Sequence, residues 1–143
     1  MKAVNPYLIY PGTALEAFTF YRSVFGGEFS AVQRFGDIPG GEAMPAAERA
    51  KVVHVALPLA NGSILMGGDA PAALTPGLAF GSGNNVAIET DSVEESTRLF
   101  TGLSAGGRIE MPLQEMFWGA FFGSWTDRYG VPWMVNYTHP KKA

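Results

Sequence analysis

The stretch GRIEMPLQEMFWGAFFGSWTDRYGVPWMVNY, residues 107–137, decides how this chain is read. It holds all three tryptophans, Trp118, Trp125 and Trp133, together with Phe117, Phe121, Phe122, Tyr129 and Tyr137. An aromatic side chain buries about 150–250 Å². The last quarter of the chain is therefore either the densest part of a core or the wall of an apolar pocket. Arg108–Leu113, Ala120–Thr126 and Val131–Tyr137 read as strands. Trp118-Gly119 lies in a turn or early strand before the second, and Asp127-Arg128-Tyr129-Gly130 is the last hairpin turn.

Upstream, Asn84–Thr90 reads as a strand. Ser92-x-x-Glu95 is a capping box that opens a helix with Val93, Phe100 and Leu103 on its apolar face, and Gly106-Gly107 closes it. The same order stands at the start of the chain. Residues 5–10 form a strand. Thr13-x-x-Glu16 opens a helix carrying Leu15, Phe18 and Phe25, and Gly26-Gly27 ends it. Glu28–Phe35, Val52–Leu59 and Ser63–Gly67 are strands, the last two joined through the hairpin signal Asn61-Gly62. Between the first two lies a polar loop, Gly36–Lys51, with one helical turn near Ala46–Ala50. Asn5 and Asn85 are 80 residues apart, as are Gly26-Gly27 and Gly106-Gly107. Gly62-Ser-Ile-Leu-Met66 lies 68 residues before Gly130-Val-Pro-Trp-Met134. The expected organisation is α+β, βαβββ–linker–βαβββ: module one over 1–69, a Pro/Gly-rich linker over 70–83, and module two over 84–138. A pseudo-two-fold relation would place Asn5 beside Met66 and Asn85 beside Met134.

A chain of 143 residues is most simply one domain. Charged residues make up only 16%, leaving little to cover a monomer's surface, so a homodimer is expected. Net charge is −3 and no basic cluster exceeds Lys141-Lys142, which argues against nucleic acid. Without cysteine there is no disulfide, thiolate metal site or Cys nucleophile. No apolar run approaches the ~20 residues that span a bilayer, and no signal-peptide core precedes Pro6-Tyr7-Leu8. The expectation is a cytoplasmic protein with no membrane partner.

Several segments carry a likeness: Pro6-Tyr7-Leu8, Glu16-Ala17, Phe20-Tyr21-x3-Phe25-Gly26-Gly27, Val53-His54-x-Ala56-Leu57 and Leu65-Met66-x-x-Asp69. The longest are Met111-Pro112-Leu113-Gln114-x-x-Phe117-Trp118-Gly119-x3-Gly123 and Asp127-x-Tyr129-Gly130-Val131-x-Trp133-Met134. On these the chain resembles the vicinal oxygen chelate superfamily of glyoxalases, bleomycin-resistance proteins and extradiol dioxygenases, and within it the PhnB-like branch. The resemblance covers nearly all of 1–143. It implies a single glyoxalase-like domain of curved mixed sheets, a homodimer, and a small-molecule ligand in a concave pocket. Some members have carried a demethylubiquinone methyltransferase name. The one Gly-rich candidate here, Gly81-Ser-Gly83, precedes a strand instead of linking a strand to a helix, so it is a poor nucleotide loop.

Metal-dependent members hold a divalent ion through His, Glu or Gln, and the resemblance maps those positions onto Asn5, Met66, Asn85 and Met134. Two thioethers and two neutral amides are a poor donor set for Mg, Mn, Ni or Zn, so no metal and no other cofactor is expected. The candidate ligand-binding residues are Asn5, Tyr7, His54, Met66, Asn85, Gln114, Trp118, Phe122, Trp125, Met134 and Asn136. The amides would orient a ligand, and His54 could donate or accept a hydrogen bond. The methionines would adapt to ligand shape. Against this, His54 reads equally as a histidine satisfied within its sheet, Glu89 as a strand-end residue, Gln114 as a turn residue, and the aromatics as core or dimer interface. His139, in a Pro-Lys-Lys tail, reads as solvated. The leading reading is a metal-free binder of an apolar or aromatic molecule. The alternatives are a metal-dependent lyase or dioxygenase, an antibiotic-sequestering protein, and a dimer with no pocket.

Overall fold

The computed structural model describes residues 1–141. The chain divides into two compact units, Met1–Ala79 and Phe80–Ala143. The first contains β1 (Tyr7–Tyr10), α1 (Ala14–Phe25), β2 (Ala31–Arg34), the single turn α2 (Ala46–Arg49), β3 (Val52–Pro58) and β4 (Ile64–Asp69). The second contains β5 (Val86–Glu89), α3 (Val93–Ser104), β6 (Arg108–Met116), β7 (Ala120–Thr126) and β8 (Pro132–Thr138). Each unit is βαβββ, and each sheet has the same order, first–fourth–third–second: β1-β4-β3-β2 and β5-β8-β7-β6. The outer pairs β1/β4 and β5/β8 are parallel, and all other pairs are antiparallel.

Register confirms the repeat residue by residue. Tyr7 pairs with Met66, and 80 and 68 residues later Ala87 pairs with Met134. Ala56 pairs with Met66 as Ser124 pairs with Met134, and Leu57 with Leu65 as Trp125 with Trp133.

Residues in register share a face, and successive residues alternate. In the first unit, Leu8, Val55, Leu57, Leu65 and Gly67 lie on one face. Helix α1 covers it with Ala14, Ala17, Phe18 and Tyr21, all fully buried. Gly67 is where the helix comes closest: a Cβ there would lie 2.5 Å from the Leu8 carbonyl oxygen and 2.8 Å from Phe18 Cε1. In the second unit, Trp125, Trp133 and Val135 face α3, which buries Ser96, Leu99, Phe100 and Leu103. The rings of Trp125 and Trp133 are parallel at 6.2 Å, and Phe100 meets Trp125 edge-on at 5.3 Å. Each fully buried side chain of this size contributes about 1.5–3 kcal/mol, so Trp125 and Trp133 are first of all core, while Phe117 and Trp118 stay exposed.

The two helix starts are held differently. Ser92 accepts from the Glu95 N–H at 3.0 Å, as the capping pattern predicts, while the Glu95 carboxylate reaches back to the Asp91 N–H at 3.2 Å. Thr13 makes no such bond. Instead Asp69, at the end of β4 and only 6% exposed, accepts from the N–H groups of Gly12 and Ala14 through Oδ1 and of Val52 through Oδ2. β6 runs on to Met116, so Gln114 and Glu115 belong to a strand. His139 is not simply solvated: its Nε2 meets the Glu115 carboxylate at 2.8 Å and its ring lies edge-on to Tyr137.

Candidate functional site

In each unit, among the described residues, the second sheet face carries no α-helix, and most of the candidate residues stand on these faces. In the first unit the open row is Tyr7, Met66, Ala56 and Ala31, followed one step along by Ile9, Gly68, His54 and Gln33. Tyr7 and Ile9, on the edge strand β1, are 44% and 39% exposed. Among the described residues, these two rows carry no Asp, Glu, Lys or Arg.

Tyr7 and His54 form its polar centre. Their rings stack, with centroids 5.7 Å apart and planes 20° apart. The Tyr7 hydroxyl donates to the Val53 carbonyl at 3.2 Å and lies 3.3 Å from His54 Nδ1. Desolvation pushes the Tyr7 phenol above its ordinary value, so it stays a neutral donor. Asn5 stands one pleat before Tyr7, and its Oδ1 accepts from the Ile64 N–H at 3.1 Å. That side-chain oxygen closes the β1–β4 joint. Tyr7, not Asn5, is the register partner of Met66, and likewise Ala87, not Asn85, is the partner of Met134.

In the second unit the open row is Ala87, Met134, Ser124 and Met111, followed by Glu89, Asn136, Phe122 and Gln114. Asn136 Nδ2 donates to Glu89 Oε2 at 3.0 Å and to Thr138 Oγ1 at 3.1 Å. Glu89 is thus an exposed carboxylate on this face, held at one oxygen. Glu110 is held below its ordinary range by hydrogen bonds from the Arg108 guanidinium and the Thr126 hydroxyl. Trp118 sits in the β6–β7 turn, 51% exposed, edge-on to Phe122 at 6.1 Å. Asn85 precedes β5 on the same parity as Ala87 and Glu89 and is exposed.

Trp125 does not belong with these residues. It is fully buried under α3, on the opposite side of β7 from Phe122. Strand parity carries the signal: positions 122 and 125 are an odd number apart and cannot share a face. Sequence reading also missed Asp69 as a cap, Val53 as the Tyr7 acceptor, and Glu89 as a partner of Asn136.

The donor chemistry does not match a divalent cation. The outward groups at the implied positions are the thioethers Met66 and Met134 and the amides Asn5 and Asn85, with Asn5 Oδ1 already engaged. Among the described residues, neither open face gathers three His, Cys, Asp or Glu side chains. Two open depressions of about 340 and 390 Å3 flank α2, lined by Arg34, Ala50, Lys51 and Arg49 among others, and contain none of the candidate residues. Among the described residues no helix is long and apolar enough to cross a membrane.

Comparison with known proteins bears on the whole length. Residues 3–135 match the Glyoxalase/Bleomycin resistance protein/Dioxygenase superfamily. Protein YjdN of Escherichia coli strain K12 is 34% identical over 142 residues, covering 93% of each chain. The crystal structure of protein PA1353 from Pseudomonas aeruginosa is 37% identical with a TM-score of 0.80, covering 96% of this chain and 98% of that one. A Bacillus cereus structure described as a putative 3-demethylubiquinone-9 3-methyltransferase, PhnB protein, is 26% identical with a TM-score of 0.76, covering 94% and 98%. With its doubled βαβββ units of the same strand order, this chain belongs to the glyoxalase/bleomycin resistance protein/dioxygenase superfamily, in its PhnB-like branch.

Proposed function

We propose that the chain binds a small apolar or aromatic molecule on its open sheet faces, without the divalent metal ion used by metal-dependent relatives. One observation carries this reading. At register-equivalent positions of the two sheets, Met66 and Met134 present thioethers to the open side, flanked by amides and aromatic rings. Thioethers are poor ligands for hard divalent ions and good adaptable contacts for rings and alkyl groups. Tyr7, His54, Gln114, Trp118, Phe122 and Asn136 supply the rings and the directional polar contacts that small-molecule sites combine. A methyltransferase role has no support in the chain: Gly81-Ser-Gly83 lies before β5, and among the described residues no glycine-rich turn leads from a strand into a helix as nucleotide cofactors require. The protein is further proposed to act as a homodimer, since its low charge leaves apolar surface such as Ile109 and Phe117 exposed.

The test is a thermal-shift screen with small aromatic and hydrophobic compounds, beside metal analysis of protein purified without chelators. Saturable stabilisation by several aromatics, lost in Met66→Asp or Met134→Asp, is expected. Stoichiometric Mn, Ni, Fe or Zn would overturn the metal-free reading in favour of a lyase or dioxygenase. Light scattering of the purified protein decides the dimer.

A further inference from the structure

β3 contains a bulge, and its consequences reach the open face. Gln33 pairs with His54 but the next residue, Arg34, pairs with Val52, which leaves Val53 without a partner on β2. The paired stretch of β3 with β4 begins only at Val55. A backbone carbonyl in that position seeks another donor, and the Tyr7 hydroxyl supplies it at 3.2 Å. Gly68 makes the approach possible: a Cβ there would lie 2.5 Å from the Val53 oxygen and 3.1 Å from the Tyr7 hydroxyl.

The direction of the next hydrogen bond follows. A carbonyl can only accept, so the single Tyr7 hydroxyl hydrogen points at Val53. The Tyr7 oxygen, 3.3 Å from His54 Nδ1, can then only accept, so the hydrogen of the neutral imidazole is on Nδ1. The lone pair is left on Nε2, which has no protein partner among the described residues. Among its neighbours Met66, Ala56 and Gly68 offer no strong side-chain donor, and the amide of its register partner Gln33 makes no hydrogen bond to it. Among the described residues, no carboxylate stands in these rows to pair with a cation.

We propose that His54 Nε2 is a preset hydrogen-bond acceptor, fixed in the Nδ1–H tautomer by Tyr7, that selects aromatic ligands bearing a neutral O–H or N–H donor, phenols foremost. This rests on the ligand-binding reading above and adds the chemical class to it. The ring of Tyr7 supplies the stacking surface and its hydroxyl sets the polarity of the acceptor beside it.

Two readouts test it separately. Long-range ¹H–¹⁵N spectra of the neutral His54 ring should show a protonated Nδ1 and an unprotonated Nε2, and Tyr7→Phe should shift the population toward Nε2–H. Calorimetry with 4-methylphenol and toluene should give a preference for the phenol of roughly tenfold, about one hydrogen bond. The preference should fall below about twofold in His54→Phe, which keeps a ring at the position. A wild-type Nε2–H tautomer would overturn the lock. Equal affinity for the two probes, with Nδ1–H observed, would overturn the selection alone. Binding of neither probe would overturn the ligand-binding reading and the selection with it, while the spectra still decide the tautomer.

Discussion

The two units are built on one register yet solve the same local problems with different residues. Beneath each helix a glycine pairs with a valine across the third and fourth strands of the unit. In the first unit the pair is Val55 with Gly67, and in the second it is Gly123 with Val135. The glycine has changed strands, so the helix is seated by the smallness of the pair and not by a particular position. Each unit also has one deeply buried aspartate that accepts three N–H groups, again at different corners. Asp69 ties the end of β4 to the start of α1 and of β3. Asp127 closes the β7–β8 turn and holds the Trp133 indole at 2.8 Å. The repeat thus preserves backbone geometry and leaves side-chain roles free, and that freedom lets the open faces differ. The first is uncharged and centred on Tyr7 and His54. The second puts Phe122 where the first has His54, and carries the carboxylates Glu89 and Glu110.

The largest break in this comparison should come from the aspartates. Asp69→Ala leaves three backbone N–H groups orphaned and removes a join between segments 55 residues apart in sequence. It should cost about 3–5 kcal/mol, since each buried orphan donor costs about 1–3 kcal/mol. Asp127→Ala also orphans three donors, but it joins groups no more than six residues away in sequence, so the loss stays local and about 2–3 kcal/mol is expected. Urea unfolding of both variants checks the order; Asp127→Ala proving the more damaging would show that the turn, not the strand–helix join, limits stability.

The glycines come next. Gly67→Ala brings a Cβ against the backbone of Leu8, which cannot yield without disturbing the β1–β4 ladder, and should cost about 2–3 kcal/mol. Gly123→Ala meets only the ends of side chains, Phe100 Cε2 at 2.9 Å and Leu113 Cδ2 at 3.1 Å, and about 1 kcal/mol is expected. Equal costs would mean that the helix shifts as freely in one unit as in the other.

The sequence carries the architecture clearly, because glycine pairs, capping patterns and the Asn61-Gly62 turn are local and recur at fixed offsets. What it hides is long-range or depends on register. Thr13-x-x-Glu16 satisfies the local capping template yet Thr13 makes no such bond, and a carboxylate arriving from β4 accepts the neighbouring Gly12 and Ala14 N–H groups instead. The Tyr7–His54 contact depends on a bulge at Val53 that no propensity marks. Asn5 and Asn85 stand on the expected side of their strands, yet register pairs Tyr7 and Ala87 with the methionines. Among the aromatics, Phe122 and Trp118 remain near the open face while Trp125 falls beneath α3; counting rings in the 107–137 stretch could not divide them, whereas strand parity does.

The smallest expected effect separates the units by charge. Glu48 is held below its ordinary value first by its hydrogen bond from Lys51, and Glu110 first by its hydrogen bonds from Arg108. A carboxylate whose folded value is depressed binds protons less readily than in the unfolded chain. Its contribution is therefore present above the ordinary carboxylate range and lost as pH falls through the folded value. Glu48→Gln and Glu110→Gln should each flatten the acid limb of stability against pH, read as urea midpoints between about pH 6 and pH 3. The Glu48–Lys51 side chains are both 21% exposed, whereas Arg108 and Glu110 are 76% and 44% exposed. Water and salt screen the second pair more, so Glu110→Gln should have the weaker effect and the one more fully abolished by added salt. A reversed order would mean that the Thr126 hydroxyl, not the guanidinium, holds Glu110, because a neutral donor is indifferent to ionic strength.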